Sequence, residues 1–142
     1  MVVYAESSAV LAWLLGQSEA SRVVSALSHA SHVVTSELTD IECARAFHRA
    51  LSLTLVTKSQ AAALHDSYST TSKQWDRLTI GDRVRLLASA PWPVEPVRAL
   101  DAIHLGSALV AREAWPDLVI LTLDQRVRRN AVALGLAEFL AP

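Results

Sequence analysis

The stretch Leu118-Val119-Ile120-Leu121-Thr122-Leu123-Asp124 decides the fold. Apart from Thr122 it is apolar up to its terminal acid, with no alternation of polar and apolar positions. A strand with one wet face alternates, whereas a strand covered on both faces reads as a continuous apolar run and belongs in a parallel sheet. Asp124 closes the run and is a good helix N-cap, and Gly135 stands where the following helix must stop. The same order opens the chain. Val2-Val3-Tyr4-Ala5 reads as a short buried strand, Glu6-Ser7-Ser8 interrupts it, and Ala9 to Leu15 is helical until Gly16.

Between these ends, helices and strands alternate. Ser18 is a suitable N-cap for a helix through about Leu27, and His32 to Thr35 reads as a second strand. Thr35 or Ser36 caps a long helix to about Leu53, and Thr57 or Lys58 opens another through about Thr70. Trp75 to Ile80 reads as a short strand, and Gly81-Asp82 starts a short helix through Ala88. Pro91, Pro93 and Pro96 punctuate a loop, Arg98 to Ala114 is helical, and Ala137 to Leu140 reads as a last edge strand. This alternation predicts an α/β fold: a central parallel sheet with helices on both faces, in three α/β/α layers. No repeat or low-complexity tract divides the chain, so one domain over residues 1–142 is expected.

Hydrophobic residues make up 51% of the chain and charged residues 19%, against about 25% charged in an average globular domain. This excludes a disordered chain and leaves apolar surface for a partner. The formal net charge of −1 supplies no global positive field for nucleic acid. Eleven of the thirteen basic residues are arginine, which suits planar contacts to phosphate. The lone Cys43 can form neither an internal disulfide nor a cysteine zinc site, so a reducing, cytoplasmic setting is expected. Met1 to Leu15 is apolar but lacks a basic leading region and carries Glu6, so it does not read as a signal peptide. No apolar run is long enough to predict a membrane span.

In parallel sheets, ligands bind beyond the carboxyl ends of the strands. Two acids fall there, Glu6 and Asp124, and neither is followed by the glycine-rich turn of a phosphate-cradling nucleotide fold. Glu42, about two turns into its helix, and Asp101, near the start of its own, can join them in one crevice. Such a cluster repels itself unless it surrounds hard cations such as Mg²⁺ or Mn²⁺. Those ions suit phosphodiester hydrolysis, because they activate water and stabilise the attacking and leaving oxygens. Spacing alone leaves alternatives open, with Glu37 and Asp40 beside Glu42 and Asp117 ahead of Asp124.

Four motifs carry a resemblance. Val3-Tyr4-Ala5-Glu6-Ser7-Ser8-Ala9 resembles the opening motif of PIN-domain ribonucleases of the VapC toxin type. Ser36-Glu37-Leu38-Thr39-Asp40-Ile41-Glu42 is similar to their second motif, and Leu100-Asp101-Ala102-Ile103-His104-Leu105 to their third. Leu121-Thr122-Leu123-Asp124-Gln125-Arg126-Val127, followed by Ala131 and Gly135, is similar to their fourth. The resemblance implies a toxin of a toxin–antitoxin pair: an endoribonuclease dependent on Mg²⁺ or Mn²⁺, usually a homodimer, inhibited by an antitoxin whose C-terminal segment enters the active-site groove. It implies metal ligation by Glu6, Asp101 and Asp124, with Glu42 acting directly or through water. The family usually carries Asp at the position of Glu6. The extra methylene moves the carboxylate and adds a torsion, which makes a catalytically attenuated module that binds antitoxin or RNA the alternative.

Each residue also has a plainer reading. Asp124 is an N-cap, Asp101 favours the positive end of its helix, and Glu42 can pair with Arg45 or Arg49 on its own helix. Ser8 and Thr122 either support the acids by hydrogen bonds or cap local backbone. His104 reads as a packed histidine bonded to backbone, Cys43 as a small buried hydrophobe, and the four tryptophans as core or interface. Arg126, Arg128 and Arg129 form either a phosphate-binding rim or a solvated face. A receiver-like signalling domain would need an acid pair after strand one and a lysine after the last strand; the only lysines are Lys58 and Lys73.

Overall fold

A computed structural model describes residues 1–138. The elements run β1 (Val2–Ala5), α1 (Ser7–Leu14), α2 (Ala20–His29), β2 (His32–Ser36), α3 (Glu37–Ser52), α4 (Lys58–Ser72), β3 (Asp76–Leu78), α5 (Asp82–Ala88), α6 (Ala99–Ala114), β4 (Val119–Leu121), α7 (Gln125–Ala133) and β5 (Ala137–Glu138). The strands form one parallel sheet in the order β3-β2-β1-β4-β5. Val3 lies opposite Val33 of β2, and Tyr4 opposite Ile120 of β4.

Successive strand residues point to opposite faces, and the core divides accordingly. Val2, Tyr4, Val34 and Ile120 pack with Leu105, Ala108 and Ala111 of α6 and with Val127 and Ala131 of α7. On the other face, Ala5 and Val33 pack with Val10 of α1, Cys43 and Phe47 of α3 and Tyr68 of α4, while Val3 and Leu121 meet Ala9 of α1 and Val23 and Ala26 of α2. The result is the three-layer α/β/α arrangement. The fifth helix lies backbone to backbone against α6, where a Cβ on Gly106 would come within 3.2 Å of the Val84 carbonyl oxygen.

Several boundaries differ from the sequence reading. The first helix begins at Ser7 rather than Ala9, because the Glu6 carboxylate caps it. The second starts at Ala20 with Glu19 at the N-cap position and no side-chain cap, so Ser18 does not cap it. The third strand is shorter than Trp75 to Ile80; the Glu37 carboxylate accepts the Ile80 N–H at 2.8 Å, taking it from the ladder. The fourth strand ends at Leu121, and Thr122 turns its hydroxyl toward Glu6. The last strand covers Ala137–Glu138; the rest of the Ala137 to Leu140 prediction lies outside the described residues. Ser36 caps α3, Thr57 and Gln60 form a reciprocal capping box on α4, and Asp124 caps α7.

Candidate active site

The chain winds from β1 through β2 to β3 on one side and reaches β4 and β5 on the other. Between β1 and β4 the direction of winding reverses, and beyond the carboxyl ends of such a strand pair the diverging connections leave a crevice. Glu6 leaves β1 at this point, and its N–H donates to the Leu121 carbonyl at 3.0 Å. Asp124 follows β4 by three residues. The second-strand side contributes Glu42 from α3, and Asp101 comes from the first turn of α6.

Glu6 is 4% exposed, and its side chain is enclosed by donors. Its Oε1 accepts from the Ser7 hydroxyl at 2.8 Å and the Ser8 N–H at 3.1 Å. Its Oε2 accepts from the Thr122 hydroxyl at 2.8 Å and from the Ser8 hydroxyl. Those hydroxyls also accept from backbone: Ser8 Oγ from the Leu123 N–H at 2.9 Å and Thr122 Oγ1 from the Asp124 N–H at 3.1 Å. Ser8 and Thr122 therefore bond a carboxylate and local backbone at once, and together they tie the end of β1 to the end of β4.

Glu42 does not pair with Arg45 or Arg49. Its Oε1 lies 2.6 Å from His104 Nε2. A carboxylate only accepts, so Nε2 carries the proton, and Nδ1 accepts from the Tyr4 hydroxyl at 3.0 Å. The same Nε2 is 3.7 Å from Glu6 Oε1. His104, 1% exposed, thus bonds side chains rather than the backbone partner expected for it. Burial raises the Tyr4 phenol far above its ordinary pKa, keeping it a neutral donor.

The other two acids share a different cation. Arg98 Nε donates to Asp101 Oδ2 at 3.2 Å, and its terminal nitrogen lies 3.6 Å from Asp124 Oδ2. The hydrogen bond to Asp101 raises the pKa of Arg98, so the guanidinium is held fully charged. Asp124 also accepts the Arg126 and Val127 N–H groups through Oδ1, at 2.7 and 3.2 Å, so it caps its helix with one oxygen and meets Arg98 with the other. Cys43, next to Glu42, has its thiol pushed up to about 12 by burial, which removes it as a nucleophile at neutral pH.

The four acids are therefore held as two pairs, Glu6 with Glu42 around the His104 N–H and Asp101 with Asp124 around the Arg98 guanidinium. Among the described residues, no three carboxylate, imidazole or thiolate groups converge closely enough to hold a metal ion with the side chains as they stand. Asp101 and Asp124 nevertheless fit a hard divalent cation: both offer anionic oxygens, and the guanidinium between them is a stand-in ion on a side chain that is 64% exposed. Glu37 and Asp40 are occupied elsewhere, Glu37 at Ile80 and Asp40 with Tyr68 and Arg77.

Sequence reasoning missed Arg98, Tyr4 and the role of His104. Helical spacing carried part of the signal, since Asp101 and His104 stand one turn apart on α6 and Arg98, at its N-cap position, precedes Asp101 by three residues. The partners Tyr4 and Glu42 lie on other elements, and nothing local points to them.

Comparison with known proteins gives the family. The chain matches the PIN domain family over residues 3–133. It is 29% identical over 138 residues to ribonuclease VapC35 of Mycobacterium tuberculosis, covering 96% of this chain and 94% of the relative. Among solved structures, VapBC2 from Rickettsia felis bound to a DNA fragment from its promoter aligns with a TM-score of 0.63 at 8% identity, covering 97% of both chains. FitAB bound to an IR36 DNA fragment aligns at 0.64 and 15% identity, over 97% of this chain and 93% of the other. At these identities the two complexes share the fold. With the family matched over nearly its whole length, this chain belongs to the PIN-domain family.

Proposed function

We propose that the chain is a divalent-metal-dependent endoribonuclease and the toxin of a toxin–antitoxin pair, working in the cytoplasm as a homodimer. The observation that carries the reading is the placement of Glu6, Glu42, Asp101 and Asp124 about the switch between β1 and β4, as two pairs each held by one protein cation or donor. The likeness to ribonuclease VapC35 supports RNA as substrate, and the VapBC2 and FitAB complexes support an antitoxin as partner. Asp101 and Asp124 would hold Mg²⁺ or Mn²⁺ once Arg98 moves aside, with Glu6 and Glu42 as further ligands, directly or through water. A bound ion of this kind supplies activated water and neutralises charge on the phosphodiester. The protein's own part is to orient: His104 fixes Glu42, Ser8 and Thr122 fix Glu6, and the α7 N-terminus fixes Asp124.

The test is cleavage of a generic RNA during a Mn²⁺ titration. The native chain cuts with metal and not with EDTA, and Asp101→Asn abolishes cutting while keeping the fold. Retained cleavage in that variant would remove Asp101 from the chemistry. A second reading, of an attenuated binding module, is favoured by the enclosure of Glu6, whose oxygens are both taken up by neighbouring donors. Under that reading the native chain does not cut and Glu6→Asp restores cleavage.

A further inference from the structure

On α3, Arg45 and Arg49 follow Glu42 by three and seven residues, on the same stripe of the helix. At helical rise they stand roughly 4.5 and 10.5 Å beyond it along the axis. Glu42 is the carboxylate within reach on that stripe, and His104 has taken it at 2.6 Å. Among the described residues, no carboxylate forms an ion pair with either guanidinium. Both side chains are exposed, and with His48 and Ser52 they line a surface depression of about 720 Å³. The opposite flank repeats the arrangement. Exposed Arg126 and Arg129, one turn apart on α7 and also outside those ion pairs, line a depression of about 410 Å³ that Asp124 itself borders.

Like charges one turn apart repel, and in a chain of net charge −1 two such pairs stand next to the acids, one following Glu42 on α3 and one following Asp124 on α7. A polyanion that passes over the acids would neutralise both pairs. We propose that the two depressions are phosphate subsites for single-stranded RNA, the α3 pair holding the backbone on one side of the scissile bond and the α7 pair on the other. This rests on the nuclease reading above. Guanidinium groups match phosphate and carboxylate alike, and it is the nuclease reading that favours RNA over an acidic protein segment. A phosphodiester crossing between the flanks would lie over the acids that this reading assigns to its cleavage.

The experiment measures binding of a fluorescein-labelled single-stranded RNA of mixed sequence by anisotropy, in EDTA and in an Asp101→Asn background so that nothing is cut, across a range of salt. Each phosphate contact contributes about 0.7 to the slope of log affinity against log salt for single strands. Arg45→Ala with Arg49→Ala, and Arg126→Ala with Arg129→Ala, are each expected to lower that slope by about 1.4 and to weaken binding on the order of tenfold near 0.1 M salt. The corresponding double lysine variants keep most of the slope. An unchanged slope in both alanine pairs, with RNA still bound, overturns the subsites and leaves the nuclease reading standing. Absence of RNA binding in the Asp101→Asn parent overturns both. A polyglutamate probe of matched length is run in parallel, and a loss confined to that probe also overturns the proposal.

Discussion

His104 has a single proton on Nε2 to share between Glu42 at 2.6 Å and Glu6 at 3.7 Å, and on Nδ1 it uses the Tyr4 hydroxyl at 3.0 Å. Three elements, β1, α3 and α6, meet at this one ring. Leu at position 104 would fill much of the volume but leave a buried hydroxyl without an acceptor and a carboxylate without its donor. An unsatisfied buried polar group costs about 1–3 kcal/mol, so His104→Leu is expected to lose about 3 kcal/mol in urea unfolding. His104→Gln places one N–H near the position of Nε2 and should lose roughly half as much. Equal losses in both would show that packing, and not the bond to Glu42, gives the residue its value. The sequence offered Asp101 and His104 on one helix face, but the partners of His104 come from 62 and 100 residues away along the chain. For Glu42 the nearby Arg45 and Arg49 were the evident partners, and a buried imidazole wins because its geometry is fixed by packing, whereas an exposed pair must order two long side chains for little gain.

The helix ends show what local sequence can and cannot reveal. After α1 and α7 the chain turns at Gly16 (φ 63°) and Gly135 (φ 69°), both in the left-handed region. After α7, the Leu136 N–H reaches back to the Ala131 carbonyl at 2.9 Å, closing the helix. The third helix ends in the same way, with the Leu55 N–H on the Ala50 carbonyl at 2.9 Å, but the turning residue is Thr54 at φ 56°. A β-branched residue is strained there, because its Cβ crowds the following carbonyl. Thr54→Gly is therefore expected to stabilise by roughly 0.5–1 kcal/mol, the relieved strain being partly offset by the greater freedom of glycine in the unfolded chain. A higher urea midpoint at unchanged slope is the expected result; a lower midpoint would mean that the Thr54 conformation is not strained. Glycine made two of these three stops legible. The parallel sheet was legible in kind, from the apolar run at 118–123, but its strand order was not, nor the extent of its strands, because the Glu37 carboxylate and the Thr122 hydroxyl end them from outside the ladder.

For the molecule as a whole, the near-zero net charge hides a separation. Acids gather at the switch between β1 and β4, and arginines stand on its flanks. A cation that binds the folded state and not the unfolded chain adds RT ln(1 + [L]/Kd) to stability, about 2.7 kcal/mol at a hundredfold excess over Kd. For a chain of this length that corresponds to a rise of roughly 6 °C or more in Tm on adding Mn²⁺, reversed by EDTA. The shift should vanish in Asp101→Asn, and no shift in the native chain would count against a metal at this site. Composition indicated spare apolar surface, and it is visible in exposed Ile41, Leu53, Leu55 and Leu86; their places, Ile41 and Leu86 on helices and Leu53 and Leu55 in the turn after α3, could not be read from percentages. The sheet order has one more consequence, for timing. The bonds that close the site join Tyr4 to His104 and Glu6 to Thr122, separations of 100 and 116 residues. A nascent chain leaving the ribosome holds β1, β2 and β3 without the strand that flanks β1 on its other edge. The acidic cleft therefore cannot form until β4 and Asp124 have followed the first three strands out of the ribosome.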